Sequence, residues 1–355
     1  MSEIIDRFKT LVKRAKIEEA SDIHLCVGHE PIFRITGQLL PLPDEKKLSA
    51  EDLEILVQFL AGEERYQMFL KNKDIDLSFQ LGETRLRINA YFQRGTISLA
   101  ARLISQGIRS IEELNLPLIL KEFAHHAQGF VLITGSSSQG KSTTLAALIE
   151  EINRQQKKMI ITLEDPIEYL FQDKQSVISQ REIYADAMNF PRALRSTLRE
   201  DPDIIVVGEM RDLETISTAV IAAETGHLVF ATLHTNSASE SIHRLVDVFP
   251  AIQQNQIRMQ LASSLLGIVS QRLIPSVEGK FIPACEVLIA THAIANLIRR
   301  NDVDQMPLVI QTSSNVGMIS MNQSLTQLVR SGKITTQKAL AYSLSPNELR
   351  QFLRA

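Results

Sequence analysis

A glycine-rich segment in the middle of the chain constrains the fold more than any other feature. Residues 135–142 read Gly-Ser-Ser-Ser-Gln-Gly-Lys-Ser and match the pattern G-x-x-x-x-G-K-S. An apolar run at 130–134 precedes this segment, and the pattern of residues 141–154 predicts a helix after it. A loop between a strand and a helix presents backbone N–H groups that surround phosphate oxygens. The segment therefore predicts a P-loop in an α/β fold that binds a nucleotide.

The P-loop also supplies the predicted ligand contacts. Lys141 has the length to reach the β- and γ-phosphates of ATP, and Ser142 offers a hydroxyl to Mg²⁺. We therefore predict ATP and Mg²⁺ as ligands, with Ser142 as one of the metal-binding residues. The full predicted phosphate-binding set is Gly135, Ser136, Ser137, Ser138, Gln139, Gly140, Lys141, Ser142 and Thr143.

Short apolar runs alternate with helical patterns after the P-loop. The sequence predicts further strands at 159–163, 204–207 and 228–232, with helices between them. Uninterrupted apolar strands that alternate with helices are typical of a parallel sheet covered on both faces. From Ser237 onward the sequence predicts mostly helix.

The first hundred residues predict a separate, smaller α+β domain. Residues 85–92 and 97–103 alternate apolar and polar side chains, and the turn at Arg94-Gly95 lies between them. This arrangement indicates a β-hairpin within an antiparallel sheet. We expect one domain at 1–105, a linker at 106–116 and a second domain at 117–355.

Composition excludes several classes of protein. The chain has 355 residues, 44% of them hydrophobic, and a net charge of −3, so it is neither disordered nor generally attracted to nucleic acid. Two cysteines, Cys26 and Cys285, are too few for a four-thiolate zinc site. No apolar run reaches the roughly 18 residues that a membrane span needs, and the N-terminus lacks a secretory signal. We expect a cytoplasmic protein without membrane insertion.

Carboxylates follow two of the predicted strands. Glu164 and Asp165 come directly after the strand at 159–163, and Glu209 follows the strand at 204–207. Ligands bind at the carboxyl edge of a parallel sheet, where these side chains are expected to meet the P-loop. Catalysis by these acids is favoured over the alternative that they are solvated loop residues.

Two histidines flank the strand at 228–232. His234 lies at its carboxyl end, where a contact with the γ-phosphate is expected. His227 lies at its beginning, about 20 Å away for an extended strand. We therefore assign His234 to the site and leave the role of His227 open.

Several long segments resemble the secretion ATPase superfamily, and within it the retraction ATPases of type IV pili. The most specific are the P-loop and residues 163–168 (LEDPIE), 198–212 (LREDPDIIVVGEMRD) and 223–235 (AETGHLVFATLHT). Shorter matches are 20–24 (ASDIH), 247–250 (DVFP) and 311–312 (QT). The resemblance extends over nearly the whole chain.

This resemblance implies a PAS-like N-terminal domain, a RecA-like ATPase core and a homohexameric ring. It implies that Glu209 is the catalytic base, that Glu164 places metal or water, and that His234 senses phosphate. Arginines of the N-terminal domain act on a neighbouring subunit's nucleotide in this family, and Arg87, Arg94 and Arg102 occupy the matching segment. The alternative for these arginines is an exposed, solvated hairpin face.

The family also implies partners. They are an inner-membrane pilus platform protein and a paralogous retraction ATPase, with the ring at the inner face of the cytoplasmic membrane. A pilus assembly or type II secretion ATPase is the alternative, although those proteins usually carry a tetracysteine zinc element. A small-molecule kinase and a nucleic-acid translocase are weaker alternatives.

The sequence departs from the family pattern at two places. The P-loop usually reads G-P-T-G-S-G-K-S, so that Ser138 replaces a glycine and Gln139 a serine. The family's C-terminal motif A-I-R-N-L-I-R-E reads with Ala295 and Arg300 in this chain. These changes predict slower turnover or a weakly active accessory subunit of the ring.

Overall fold

The computed structural model describes residues 2–82, 84–104 and 107–354. Ser105 and Gln106, where the first predicted domain meets the predicted linker, lie outside the described residues. The chain divides into two compact units. The first comprises the residues up to Gly107 together with Pro166–Leu170, and the second comprises Ile108–Asp165 and the chain from Phe171 onward.

The first unit is an antiparallel sheet with helices. Its elements are α1 (Ser2–Ile17), β1 (Asp22–Cys26), β2 (Ile32–Ile35), β3 (Gln38–Pro41), α2 (Ala50–Asn72), β4 (Asp74–Leu81), β5 (Thr84–Gln93) and β6 (Thr96–Ile104). The strand order is β3-β2-β1-β6-β5-β4. The predicted hairpin is present as β5 and β6, joined at Arg94 and Gly95, which both have positive φ.

Alternation along the strands decides which face of this sheet is buried. Leu86, Ile88 and Ala90 of β5 point into the core, which also contains Phe8 and Phe33. Helix α2 begins with a capping box at Ser49 and is interrupted at Gly62, whose φ of 68° and ψ of 169° are not helical.

The second unit is built on a seven-stranded sheet. Its strands are β7 (Gly129–Thr134), β8 (Met159–Glu164), β9 (Val177–Glu182), β10 (Ile204–Val207), β11 (Leu228–Leu233), β12 (Leu265–Pro275) and β13 (Phe281–Ile289). The order is β13-β12-β7-β11-β10-β8-β9, parallel throughout except for β13. The predicted parallel sheet is confirmed, and the four predicted strands are present as β7, β8, β10 and β11, whereas β9, β12 and β13 were not predicted.

Helices cover both faces of the second sheet. They are α3 (Leu120–Ala124), α4 (Lys141–Gln155), α5 (Phe190–Thr197), α6 (Leu213–Glu224), α7 (Ala238–Asp247), α8 (Ala251–Ser264), α9 (His292–Arg300), α10 (Met306–Thr312), α11 (Met321–Arg330), α12 (Thr336–Tyr342) and α13 (Pro346–Arg354), with 3₁₀ turns at Val303–Gln305 and Ser314–Val316. In the part of the chain described, every helix is too short or too polar to cross a lipid bilayer.

The region after Ser237 contains more than the predicted helices. Strands β12 and β13 form a hairpin that extends the sheet beside β7. The run Leu265–Pro275 is mainly apolar apart from residues 270–272 (SQR), and periodicity alone cannot distinguish such a buried strand from a buried helix. Residues 108–116, part of the predicted linker, pack in the second unit, where Ile111 and Leu116 are buried.

Candidate active site

The P-loop connects β7 to α4 and needs glycine at two positions. Gly135 has a φ of 149°, and a Cβ atom there would lie 2.5 Å from the carbonyl oxygen of Gln271. Gly140 begins α4 in the left-handed region, with a φ of 81°. Ser138 also has a positive φ of 60°, which costs a residue with a side chain roughly 1–2 kcal/mol. The loop therefore stores strain at the position where the family usually has glycine.

Glutamine side chains fasten the P-loop to β12. Gln271 Nε2 donates to the Gln139 carbonyl at 2.8 Å, and Gln271 Oε1 accepts from Thr144 Oγ1 at 2.6 Å. Gln139 Oε1 accepts from the Leu273 backbone N–H at 2.6 Å. Sequence analysis predicted Gln139 as a loop residue but missed Gln271, because β12 itself was not predicted. The available signal was a group of three polar residues, 270–272, within a mainly apolar run.

Lys141 is buried and held by its own loop. Its Nζ donates to the carbonyl oxygens of Gly135 at 2.7 Å and Ser136 at 2.9 Å. The same ammonium lies 3.4 Å from His234 Nδ1, as a hydrogen bond between two residues predicted for the site. The lysine must exchange some of these contacts in order to bind a phosphate.

Glu209 lies beside His234 because two backbone hydrogen bonds hold the turn after β10. Gly208 N–H donates to the Leu163 carbonyl at 2.8 Å, and Met210 N–H donates to the Thr232 carbonyl at 3.3 Å. Glu209 Oε1 then lies 3.1 Å from His234 Nε2. The structure thus brings together the predicted base and the predicted phosphate sensor at the ends of adjacent strands.

Arg211 is a further member of the site that sequence analysis missed. Its Nε donates to Glu209 Oε1 at 2.6 Å. This hydrogen bond, followed by the charges of Glu209 and Asp165, raises the pKa of the Arg211 guanidinium. An arginine two residues after a predicted catalytic acid was the signal that could have identified it.

The hydrogen bonds define the protonation state of His234. Burial, followed by the positive charge of Lys141, lowers the pKa of His234 below its usual 6.5. The neutral tautomer with hydrogen on Nε2 satisfies both neighbours, since Nδ1 accepts from Lys141 and Nε2 donates to Glu209. Lys141, His234, Glu209 and Arg211 therefore form a continuous chain of contacts.

Glu164 is the last residue of β8, and side chains of β8 and β9 contact its carboxylate. Its Oε1 accepts from Thr162 Oγ1 at 2.6 Å and from Gln180 Nε2 at 3.1 Å. Thr162 and Glu164 alternate with Leu163, which is buried on the opposite face of the sheet. Ile160, two residues before Thr162, packs on the face that α4 covers. Glu164 therefore lies on the face where α4 begins with Lys141 and Ser142.

These residues fit a metal ion that enters with the nucleotide. Within residues 2–82, 84–104 and 107–354, no group of three or more His, Cys, Asp or Glu side chains could hold a metal ion by itself. Mg²⁺ keeps several waters and usually takes one or two protein oxygens plus phosphate oxygens. The hydroxyl of Ser142 and the carboxylate of Glu164 are donors of the right kind.

His227 lies away from these residues. It precedes β11, and its Nδ1 lies 3.0 Å from the carbonyl oxygen of Ala222 near the end of α6. This contact places His227 at the amino edge of the sheet, at the opposite end of β11 from His234.

The three predicted arginines belong to the first unit. Arg102 Nε donates to Asp22 Oδ1 at 2.8 Å, and Arg87 lies 3.7 Å from Glu168. Arg87 and Arg102 are direct neighbours across β5 and β6, whereas Arg94 is exposed in the turn. The structure therefore brings two of the three together on one sheet face.

The C-terminal departures lie on α9. Ala295 is buried and Arg300 is exposed in the last turn of the helix. A positive charge in that turn complements the helix dipole.

The Type II/IV secretion system protein family model matches residues 1–342. The chain belongs to this family. It is 42% identical to the type IV pilus retraction ATPase PilT of Pseudomonas aeruginosa, over 90% of this chain and 93% of that protein. It is 41% identical to a twitching motility protein of Neisseria gonorrhoeae, over 93% and 88% of the two chains.

A solved structure has the same fold. The crystal structure of the pilus retraction motor PilT with bound ADP matches with a TM-score of 0.90 and 44% identity, covering 97% of this chain and 98% of that chain. The expectation of an α/β protein with an N-terminal domain and an ATPase core is confirmed. The family member described here is accordingly a nucleotide-binding P-loop ATPase.

Proposed function

We propose that this ATPase is a motor for type IV pilus retraction and that it works as a homohexameric ring. The observation that carries the proposal is the chain of contacts from the P-loop Lys141 through His234 to Glu209. It supports ATP hydrolysis at this sheet edge. The similarity to retraction ATPases over most of the chain supports pilus retraction as the work that hydrolysis drives.

In the proposed reaction Glu209 accepts a proton from the attacking water. Lys141 leaves the carbonyl oxygens of Gly135 and Ser136 and binds the β- and γ-phosphates. His234 then loses its lysine contact and keeps its contact with Glu209, so that arrival of phosphate changes the surroundings of the base. Ser142 and Glu164 would hold Mg²⁺, which would neutralise charge on the phosphate oxygens.

The ring is proposed because the family resemblance assigns arginines of the N-terminal domain to the nucleotide of a neighbouring subunit. Arg87, Arg94 and Arg102 act on the nucleotide of a neighbouring subunit in this proposal, where a guanidinium offsets charge on the transferring phosphoryl group. The two units then move as separate modules in this proposal, with residues 108–116 belonging to the second unit and not to a free linker.

The proposed partners follow from the same function. The ring pushes on an inner-membrane pilus platform protein from the cytoplasmic face of the membrane, without entering the bilayer. A paralogous retraction ATPase is a second proposed partner. The positive φ of Ser138 supports one alternative, that the chain turns over slowly and acts as an accessory subunit beside that paralogue.

A deletion strain tests this proposal directly. Loss of a retraction motor leaves abundant surface pili and abolishes twitching, whereas loss of an assembly or secretion ATPase leaves no pili. Complementation with Glu209→Gln separates the remaining alternatives. If the strain twitches normally with this variant whether or not the paralogue is present, the motor is contradicted. If twitching fails only when the paralogue is also absent, the chain is an accessory subunit.

A further inference from the structure

The side chain of Gln180 connects Glu164 to a distant part of the backbone. Gln180 on β9 lies directly opposite Thr162 on β8, and both donate to the same carboxylate oxygen of Glu164. The other end of the same amide, Gln180 Oε1, accepts from the Phe171 backbone N–H at 3.0 Å. One planar amide thus contacts both Glu164 and Phe171.

Phe171 is the residue at which the chain returns to the second unit. The chain leaves that unit after Asp165, contributes Pro166–Leu170 to the first unit and re-enters at Phe171. Within the first unit the Ile167 carbonyl accepts from Arg85 Nε at 3.3 Å, and Glu168 lies 3.7 Å from Arg87. Gln180 therefore bridges the two ends of a segment whose middle is bound to the arginine-bearing sheet.

We propose that Gln180 is a positioning residue for ATP hydrolysis, which fixes the Glu164 carboxylate and links its orientation to the position of the 166–170 segment. This inference rests on the proposed role of Glu164 in holding metal or water. Gln180 itself touches neither in this proposal.

The physical reason is the freedom of a glutamate side chain. A carboxylate on three rotatable bonds adopts several orientations unless donors fix it, and Thr162 alone fixes only the distance to one oxygen. The second donor, from the neighbouring strand, fixes the direction. Because Gln180 Oε1 is held by Phe171, movement of the returning backbone moves the donor as well.

The first test replaces Gln180 with leucine, which has similar volume and no hydrogen bonds. We expect Gln180→Leu to lower kcat for ATP about tenfold, with a KM within about twofold, because a misplaced catalytic group costs rate and not ground-state binding. Gln175→Leu is the matched control, since the side chain of that exposed glutamine donates to the Arg154 carbonyl and, among the bonds described, contacts no carboxylate. Equal kcat values for the two variants would overturn the proposal.

The second test separates positioning from stability. Gln180→Glu replaces the amide donor with a carboxylate, which repels Glu164 instead of binding it. We expect kcat to fall at least as far in Gln180→Glu as in Gln180→Leu, with a melting temperature close to that of the wild type in both variants. A purely structural role predicts that kcat falls only in proportion to the loss of stability.

The third test breaks only the link to the backbone. Phe171→Pro removes the backbone N–H that donates to Gln180 Oε1, together with the phenyl ring. Phe171→Ala removes the phenyl ring but keeps that N–H. We expect the proline variant to lose about threefold or more of the kcat that the alanine variant retains. Similar kcat values in the two variants, with similar melting temperatures, would contradict the link to the 166–170 segment.

Glu164→Gln separates the positioning role of Gln180 from the proposed role of Glu164 in holding metal or water. If Glu164→Gln hydrolyses ATP at the wild-type rate, the role of Glu164 itself is wrong. If Glu164→Gln is inactive while Gln180→Leu and Gln180→Glu behave as wild type, the ATPase site stands and the positioning role of Gln180 is wrong.

Discussion

The two sheets of this protein arrange charged residues in different ways. Strands β7, β11, β10 and β8 are adjacent and parallel, so their carboxyl ends bring the P-loop, His234, Glu209 and Glu164 to one edge. In the first unit the antiparallel strands place Arg34, Asp22, Arg102 and Arg87 in one row across a face. The carboxyl edge of a parallel sheet brings functional groups together at one place, whereas the antiparallel sheet spreads its charged side chains in a row across a face.

The same difference separates two partly exposed histidines. Burial lowers the pKa of His24 in the first unit and of His234 in the second. His24 Nε2 finds no hydrogen-bond partner in the ranges 2–82, 84–104 and 107–354, although it lies near Asp22 and two arginines. Both nitrogens of His234 have partners. His234 is thus connected to Lys141 and Glu209, two residues of the predicted nucleotide site.

The largest expected effect tests whether the arginine row contributes to catalysis. Replacing Arg87 and Arg102 together with glutamine should lower kcat about a thousandfold, because an arginine that stabilises the transferring phosphoryl group supplies at least that factor. Steady-state ATP hydrolysis measures the effect at concentrations where size-exclusion chromatography finds the ring. Arg34→Gln is the control, since Arg34 is in the same row but outside the predicted set. If the double variant is as active as this control, the row is only a solvated surface.

The next effect tests the parallel edge. Glu209→Gln should lower kcat about a hundredfold or more while ATP still binds, because the amide cannot accept a proton from water. Arg211→Gln should change kcat by about tenfold or less, since it removes a hydrogen bond to Glu209 and leaves the carboxylate in place. Equal rates for Glu209→Gln and the wild type would exclude Glu209 as the base.

A smaller effect separates the two histidines by their response to nucleotide. The negative charge of bound phosphate, and the movement of Lys141 towards it, should raise the pKa of His234 and leave that of His24 unchanged. NMR titration of the two imidazoles with and without nucleotide measures this directly. If nucleotide shifts the pKa of both histidines equally, or shifts the pKa of neither, the expected difference between His234 and His24 is wrong.

The lowered pKa of His234 also has a consequence for stability. The folded protein keeps this imidazole neutral, so acidification below 6.5 protonates the unfolded chain first and destabilises the fold until the folded-state pKa is passed. The free energy of unfolding of His234→Gln should therefore fall less steeply with pH in that window. Chemical denaturation at several pH values measures the slope.

The smallest effect concerns the strained P-loop. Ser138→Gly should stabilise the protein by about 0.5–1 kcal/mol, because glycine adopts positive φ without the steric cost that serine has. Ser137→Gly is the matched control, since Ser137 has no positive φ and gains only freedom in the unfolded chain. Thermal unfolding compares the two. A Ser138→Gly variant that is no more stable than Ser137→Gly would show that the loop is not strained.

The sequence alone determined the features that arise from local patterns of residues, and those that follow from the rule that parallel strands end at one edge of a sheet. The P-loop pattern, the apolar strands and the Arg94-Gly95 hairpin are local patterns, and all are present in the structure. The placement of Glu209 and His234 side by side follows from the rule that parallel strands end at one edge.

The tertiary structure alone decided the contacts that hold these residues in place. Gln271 reaches the P-loop from a strand more than a hundred residues away in sequence, and Gln180 reaches Glu164 from the neighbouring strand β9, which no pattern predicted. Likewise, residues 166–170 join the first unit although they lie between two strands of the second. Side-chain hydrogen bonds between distant segments depend on strand register and loop path, and a single sequence carries no periodic signal for either.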